Sequence, residues 1–154
     1  MILPYSPGEH TAQIMDIWLR ASRTAHSFIP MAYWEASAPA VEREILPGAR
    51  TRVFVRDGRA LGFLSLIGGD YIGALFVDPD CQGRGIGRAL LDDCKEGKDL
   101  LTLSVYLENH GAVGFYQSQG FVPLDRRADP ATGHEELLMA WRAPAKATEN
   151  TNEP

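Results

Sequence analysis

The chain has 154 residues, 45% apolar and 23% charged, which suits one domain with its own core and argues against wholesale disorder. A formal charge of −5 speaks against nucleic acid as a partner, so any bound anion must be held by a local site. With two cysteines (Cys81 and Cys94), no signal-like or membrane-length apolar run, and four histidines at no ligand spacing, the chain reads as cytoplasmic, with reduced thiols, no membrane contact and no metal.

The opening "MILPY" suits a short edge strand, its proline limiting pairing. From Thr11 to Ser22 the apolar residues Ile14, Ile17, Trp18 and Ala21 share one face of an amphipathic helix. Pro30 can open a second helix that buries Tyr33 and Trp34; Pro39 must kink or end it, and Val41 to Leu46 add a further turn before Pro47-Gly48. Three strands follow as an antiparallel meander. Val53 and Val55 alternate with polar neighbours, Asp57-Gly58 marks a hairpin, Gly68-Gly69-Asp70 marks a second turn, and Tyr71 to Val77 closes at Asp78-Pro79. A helix then carries Ile86, Ala89, Leu90 and Cys94 on one face and ends near Gly97. Leu101, Leu103, Val105 and Leu107 alternate with Thr102, Ser104 and Tyr106 in a half-buried strand. Asn109 caps a short helix through Gln119, stopped by Gly120, and a last hairpin turns at Asp129-Pro130 to Gly133. The order predicts an α+β fold: a mixed, mostly antiparallel sheet of about six or seven strands flanked by four helices. One domain is expected over 1–143, and the polar residues 144–154 are expected to be a disordered tail.

The most informative stretch is Gln82-Gly83-Arg84-Gly85-Ile86-Gly87-Arg88, at a strand-to-helix junction. A helix start presents unpaired amide N–H groups and the positive end of the helix dipole. Glycines let an anion reach that backbone, and arginines add donors matched to phosphate oxygens. Spacing selects among phosphate cradles. The dinucleotide pattern GxGxxG needs glycine where Arg88 stands, and the P-loop pattern needs lysine where Ala89 stands. What remains is Q-x-x-G-x-G.

With that motif the sequence resembles the GCN5-related N-acetyltransferase superfamily, whose pyrophosphate loop has this pattern at the same junction. A second block strengthens the likeness: Asn109, Ala112, Phe115, Tyr116, Gly120 and Phe121 in "NHGAVGFYQSQGF" fill the family's N-x-x-A-x-x-F-Y-x-x-x-G-F pattern. The match in element order extends through Trp141 and is weakest before Thr51. The resemblance implies a small single-domain acetyltransferase of bacterial type that takes acetyl-CoA as acyl donor and attacks it directly with a primary amine in a ternary complex. It implies that the backbone of Leu75, Phe76 and Val77 carries the pantetheine arm and polarises the thioester, with Gly73 permitting a bulge beside it. Coenzyme A contacts would come from Gln82, Gly83, Arg84, Gly85, Ile86, Gly87, Arg88 and Asn109. Tyr116 would be the general acid.

Helix geometry supports the last assignment independently. Asn109 and Tyr116, seven residues apart, lie within roughly 20° around a helix and about 10 Å along it, so one face can serve both ends of the pantetheine arm. A phenol stays protonated at neutral pH yet can donate to a departing thiolate. The base stays open between Glu108, His26 and a chain of waters. The acceptor is expected against His26, Phe28, Tyr33 and Trp34. It would be a small-molecule amine or a protein lysine or N-terminal amine, with the protein a monomer or homodimer. The alternative is a non-catalytic acyl-CoA-binding sensor, which has no use for an acid at the sulfur.

Overall fold

The computed structural model describes residues 1–145. Of the tail expected to be disordered, residues 146–154 lie outside the described residues. Seven strands form one sheet: β1 (Ile2–Pro4), β2 (Arg50–Arg56), β3 (Arg59–Ile67), β4 (Tyr71–Val77), β5 (Leu100–Tyr106), β6 (Val122–Ala128) and β7 (Glu135–Arg142). Their spatial order is β1-β2-β3-β4-β5-β7-β6, and every neighbouring pair is antiparallel except β4 and β5. The helices are α1 (Pro7–Ala25), α2 (Met31–Ala40), α3 (Ile86–Lys95) and α4 (His110–Ser118). This is the α+β architecture that the order of elements predicts.

Local chemistry explains the turns and the helix ends. Asp57 and Gly58 both take positive φ, 53° and 74°, as a two-residue hairpin matched to strand twist requires. α1 starts at Pro7, earlier than its apolar stripe, because proline at a helix's first position already has helical φ and loses no needed N–H. α2 contains Pro39 and then widens into a π-turn, Val41–Ile45, before a last turn at Leu46–Gly48. A ring that clashes with the preceding turn and lacks an N–H disturbs the regular ladder in this way.

Two apolar clusters lie on opposite faces of the sheet. Ile14, Ile17, Trp18 and Trp34 of α1 and α2 pack on Val53, Ala60 and Phe63. Ile86, Leu90 and Leu91 of α3 and Tyr116 of α4 pack on Leu64, Leu101, Leu103 and Met139. The sheet is thus the middle of three layers, with the alternating residues of β5 divided between them. Thr102, Ser104 and Tyr106 take the α1–α2 side, as the period of two requires.

The parallel joint between β4 and β5 is short. Only Tyr71↔Thr102 and Ile72↔Leu103 pair there. Beyond Ile72 the two strands part, and Gly73 is the extra residue of a bulge against β3, which pairs Ser65 with Ala74 and Leu66 with Ile72. The split that opens is the entrance to a cleft.

Candidate active site

A cleft of about 890 Å³ fills the split between β4 and β5. Its wall runs from the mouth of α3, along the backbone of Gly73 to Val77, past α4, to the loop that joins α1 to α2. Because β4 pairs only with β3 beyond Ile72, the polar groups on its other edge face this cleft without a strand partner. An extended amide-bearing chain can pair there as an added strand.

At one end the chain is shaped for an anion. Gly83 and Gly85 have φ of 79° and 81°, and a Cβ on either would meet open space, so it is backbone conformation that calls for glycine. Gly85 caps α3, and Ala89 N–H donates to its carbonyl (3.0 Å), which leaves the amides of the first turn free of intrahelical partners. Gln82 Nε2 reaches the Val77 carbonyl at 3.5 Å, tying loop to strand. Arg88 lines the cleft; Arg84 is exposed and lies off its wall. The loop is anchored from behind by Asp78, only 1% exposed, which accepts two hydrogen bonds from Arg20 of α1 (3.0 and 2.8 Å) and one from Arg59 (3.2 Å). The Arg20 guanidinium holds this carboxyl below the usual carboxylate range.

Midway along the cleft stand Asn109 and Tyr116, on one face of α4. Asn109 Oδ1 accepts from Ala112 N–H (3.2 Å), so its cap role holds, while Nδ2 lies 3.4 Å from His26 Nε2. Tyr116 packs its ring against Phe115 and Phe121, with centroids 5.3 and 5.6 Å away. Its hydroxyl makes no hydrogen bond among the described residues, and burial pushes its pKa up, so the phenol keeps its proton.

The far end is aromatic. His26 stacks on Trp34 (5.0 Å) and meets Phe28, Phe76 and Tyr106 edge-on. Burial pushes its pKa down to about 4, so it is neutral at ordinary pH. His26 and Trp34 line the cleft; Phe28 and Tyr33 do not, and they buttress it through His26 and Trp34. Three loops meet at this rim. Tyr106 Oη donates to Asp129 (2.5 Å), and His134 Nδ1 lies 2.6 Å from Glu108 and its ring 5.1 Å from Phe28.

Leu75, Phe76, Val77, Gln82, Gly83, Gly85, Ile86, Gly87, Arg88, Asn109, Tyr116, His26 and Trp34 therefore share one cleft, while Arg84, Phe28 and Tyr33 stay off its wall. Sequence reasoning missed Ser104, Tyr106 and Glu136 as lining residues. The polar phase of β5 was the available signal for the first two; for Glu136 only the pairing of β7 decides which of the neighbours Glu135 and Glu136 faces inward. Gly62 was also missed. A Cβ there would come within 3.0 Å of the Phe76 carbonyl and 3.1 Å of Ile86, so glycine lets α3 lie close over β3 beside β4.

Comparison with known proteins agrees with this geometry. The family model described as an acetyltransferase (GNAT) domain matches residues 47–123. The peptidyl-lysine N-acetyltransferase YiaC of Escherichia coli K12 is 36% identical over 128 residues, covering 83% of this chain and 88% of that protein. Among solved structures, apo YjaB from Escherichia coli superposes with a TM-score of 0.80 at 30% identity, covering 92% of this chain and 96% of its own. The PaiA N-acetyltransferase from Thermoplasma acidophilum, solved with coenzyme A, has a TM-score of 0.77 at 18% identity and shares the fold over 93% of this chain and 98% of its own.

Proposed function

The chain belongs to the acetyltransferase (GNAT) family and is an acetyl-CoA-dependent N-acetyltransferase, and from that premise we propose that its acceptor is a protein lysine, attacked on the enzyme in a ternary complex with Tyr116 as general acid. The observation that carries this reading is the split sheet. The unpaired edge of β4 from Gly73 to Val77 runs between the anion cradle at α3 and the phenol of Tyr116. A pyrophosphate at the cradle and a pantetheine arm along that edge would bring a thioester toward the phenol.

The chain's own groups divide the work. The first-turn amides of α3 and Arg88 hold the pyrophosphate. A backbone N–H near Phe76 polarises the thioester carbonyl as its oxygen gains charge. Tyr116 supplies the proton that the departing thiolate requires. Lysine as acceptor is supported by the name of the 36% identical relative, a peptidyl-lysine N-acetyltransferase.

The test is steady-state transfer of acetyl from acetyl-CoA to a lysine-containing peptide, compared with the same peptide carrying a blocked side chain. Tyr116→Phe should retain coenzyme A affinity within a few-fold and lower kcat by ~10²-fold. Equal turnover by the variant would remove Tyr116 from the mechanism, and equal transfer to the blocked peptide would remove lysine.

A further inference from the structure

A lysine ammonium has a pKa near ~10.4, so it reaches the cleft protonated and has no lone pair to attack with. His26 is poorly suited to relieve it, because it is neutral, its basicity is depressed to about 4, and its Nε2 already faces Asn109 Nδ2. Glu108 is held by His134 at the rim and does not line the cleft. Among the described residues that do, Glu136 is the one carboxylate.

Its position follows from register. Glu136 of β7 pairs with Tyr106 of β5, so the two side chains project to the same face of the sheet. Tyr106 packs against His26 and Phe28, which makes that the α1–α2 face. The β4–β5 pairing of Ile72 with Leu103, carried onward past the extra residue Gly73, sets Phe76 level with Tyr106 across the split. Glu136 thus stands level with the Leu75–Phe76 backbone. Its side chain is 17% exposed, and its ionic partner is Arg127 Nε of β6 at 3.6 Å, on a residue itself 62% exposed. An ion pair so long, with its arginine largely in solvent, yields to a competing cation.

We propose that Glu136 receives the acceptor: it binds a primary alkylammonium and takes one proton from it. This rests on the acetyltransferase reading above and adds the acceptor's chemistry, a cation on an unbranched apolar stem. The rings of His26, Phe76 and Tyr106 pack along that stem and desolvate the ammonium, which lowers its pKa toward the carboxylate's. The neutral nitrogen forms a bond to the thioester carbon and the carbon–sulfur bond breaks. The thiolate takes the Tyr116 proton, and the second proton lost by the new amide nitrogen restores that phenol. The charged and titratable groups set beside Glu136 are Arg127 on β6 and Tyr106 on β5, and Tyr106 in turn meets Asp129 of the β6–β7 loop and neutral His26.

The experiment measures kcat/KM for a lysine peptide from pH 6 to 10 in wild type, Glu136→Gln and Glu136→Asp, with coenzyme A affinity measured alongside. Glu136→Gln should lose ~10²-fold at pH 7, and the deficit should shrink as pH rises and the amine deprotonates unaided. Glu136→Asp should keep more activity than Glu136→Gln, and coenzyme A affinity should hold within two-fold in both. A deficit equal at every pH, a Glu136→Gln enzyme as active as wild type, or loss of coenzyme A binding would overturn the assignment. Should Glu136→Gln fail to fold, Glu136→Asp carries the same pH test. A wild type that acetylates no amine would overturn the acetyltransferase reading itself, an outcome distinct from equal activities.

Discussion

At the scale of single residues, the site uses burial to fix protonation. Tyr116 is kept as a phenol and His26 as a neutral imidazole by the same cause, removal from water. For His26 this has a cost in acid. The unfolded chain binds its proton near pH ~6.5, the folded one only near 4, so stability is fully present above pH 6.5 and falls as pH drops toward 4. Urea unfolding at pH 7 and pH 5 should show a wild-type loss about 2 kcal/mol larger than that of His26→Phe, whose ring carries no proton. Equal losses would mean that His26 is hydrated in the folded state.

At the scale of elements, the glycine loop before α3 is held from both sides. Asp78 ends β4, and its buried carboxylate ties that end to α1 through Arg20 and to the β2–β3 hairpin through Arg59. Asp78→Asn removes the charge but not the shape. It should cost roughly 2 kcal/mol, less than a fully buried pair because Arg20 keeps 31% exposure, and weaken coenzyme A binding several-fold. Denaturation and a binding titration on one preparation check both, and an unchanged affinity would separate the anchor from the loop. The loop and α4 were legible in sequence because glycine spacing, an N-cap and a seven-residue interval are local patterns. The bulge expected at Gly73 lies there. What resisted reading depends on contacts distant in sequence. Nothing near Asp78 announces Arg20, and only strand register turns Glu136 inward and leaves Glu135 out.

At the scale of the molecule, the sheet consists of two parts, β1–β4 and β5–β7, that share two residue pairs and a crossover helix. A ligand that fills the split links the parts and binds only the folded chain. Saturation at ~100 times Kd should add about 2.7 kcal/mol, or roughly 5–10 °C in Tm for a chain of this size. Thermal melts with coenzyme A, ATP and NAD check this; a shift with ATP or NAD equal to that with coenzyme A would contradict the spacing argument at the loop. The split also bears on how the protein would answer its surroundings. On the reading proposed above, cradle and strand edge would touch parts that coenzyme A has both before and after it gives up its acyl group, so only a two-carbon group would distinguish fresh donor from spent. Binding energy of that kind is common to both and does nothing for the chemical step. The spent carrier would then compete for the same split, and the enzyme's output would follow the ratio of charged to uncharged carrier more closely than the amount of either.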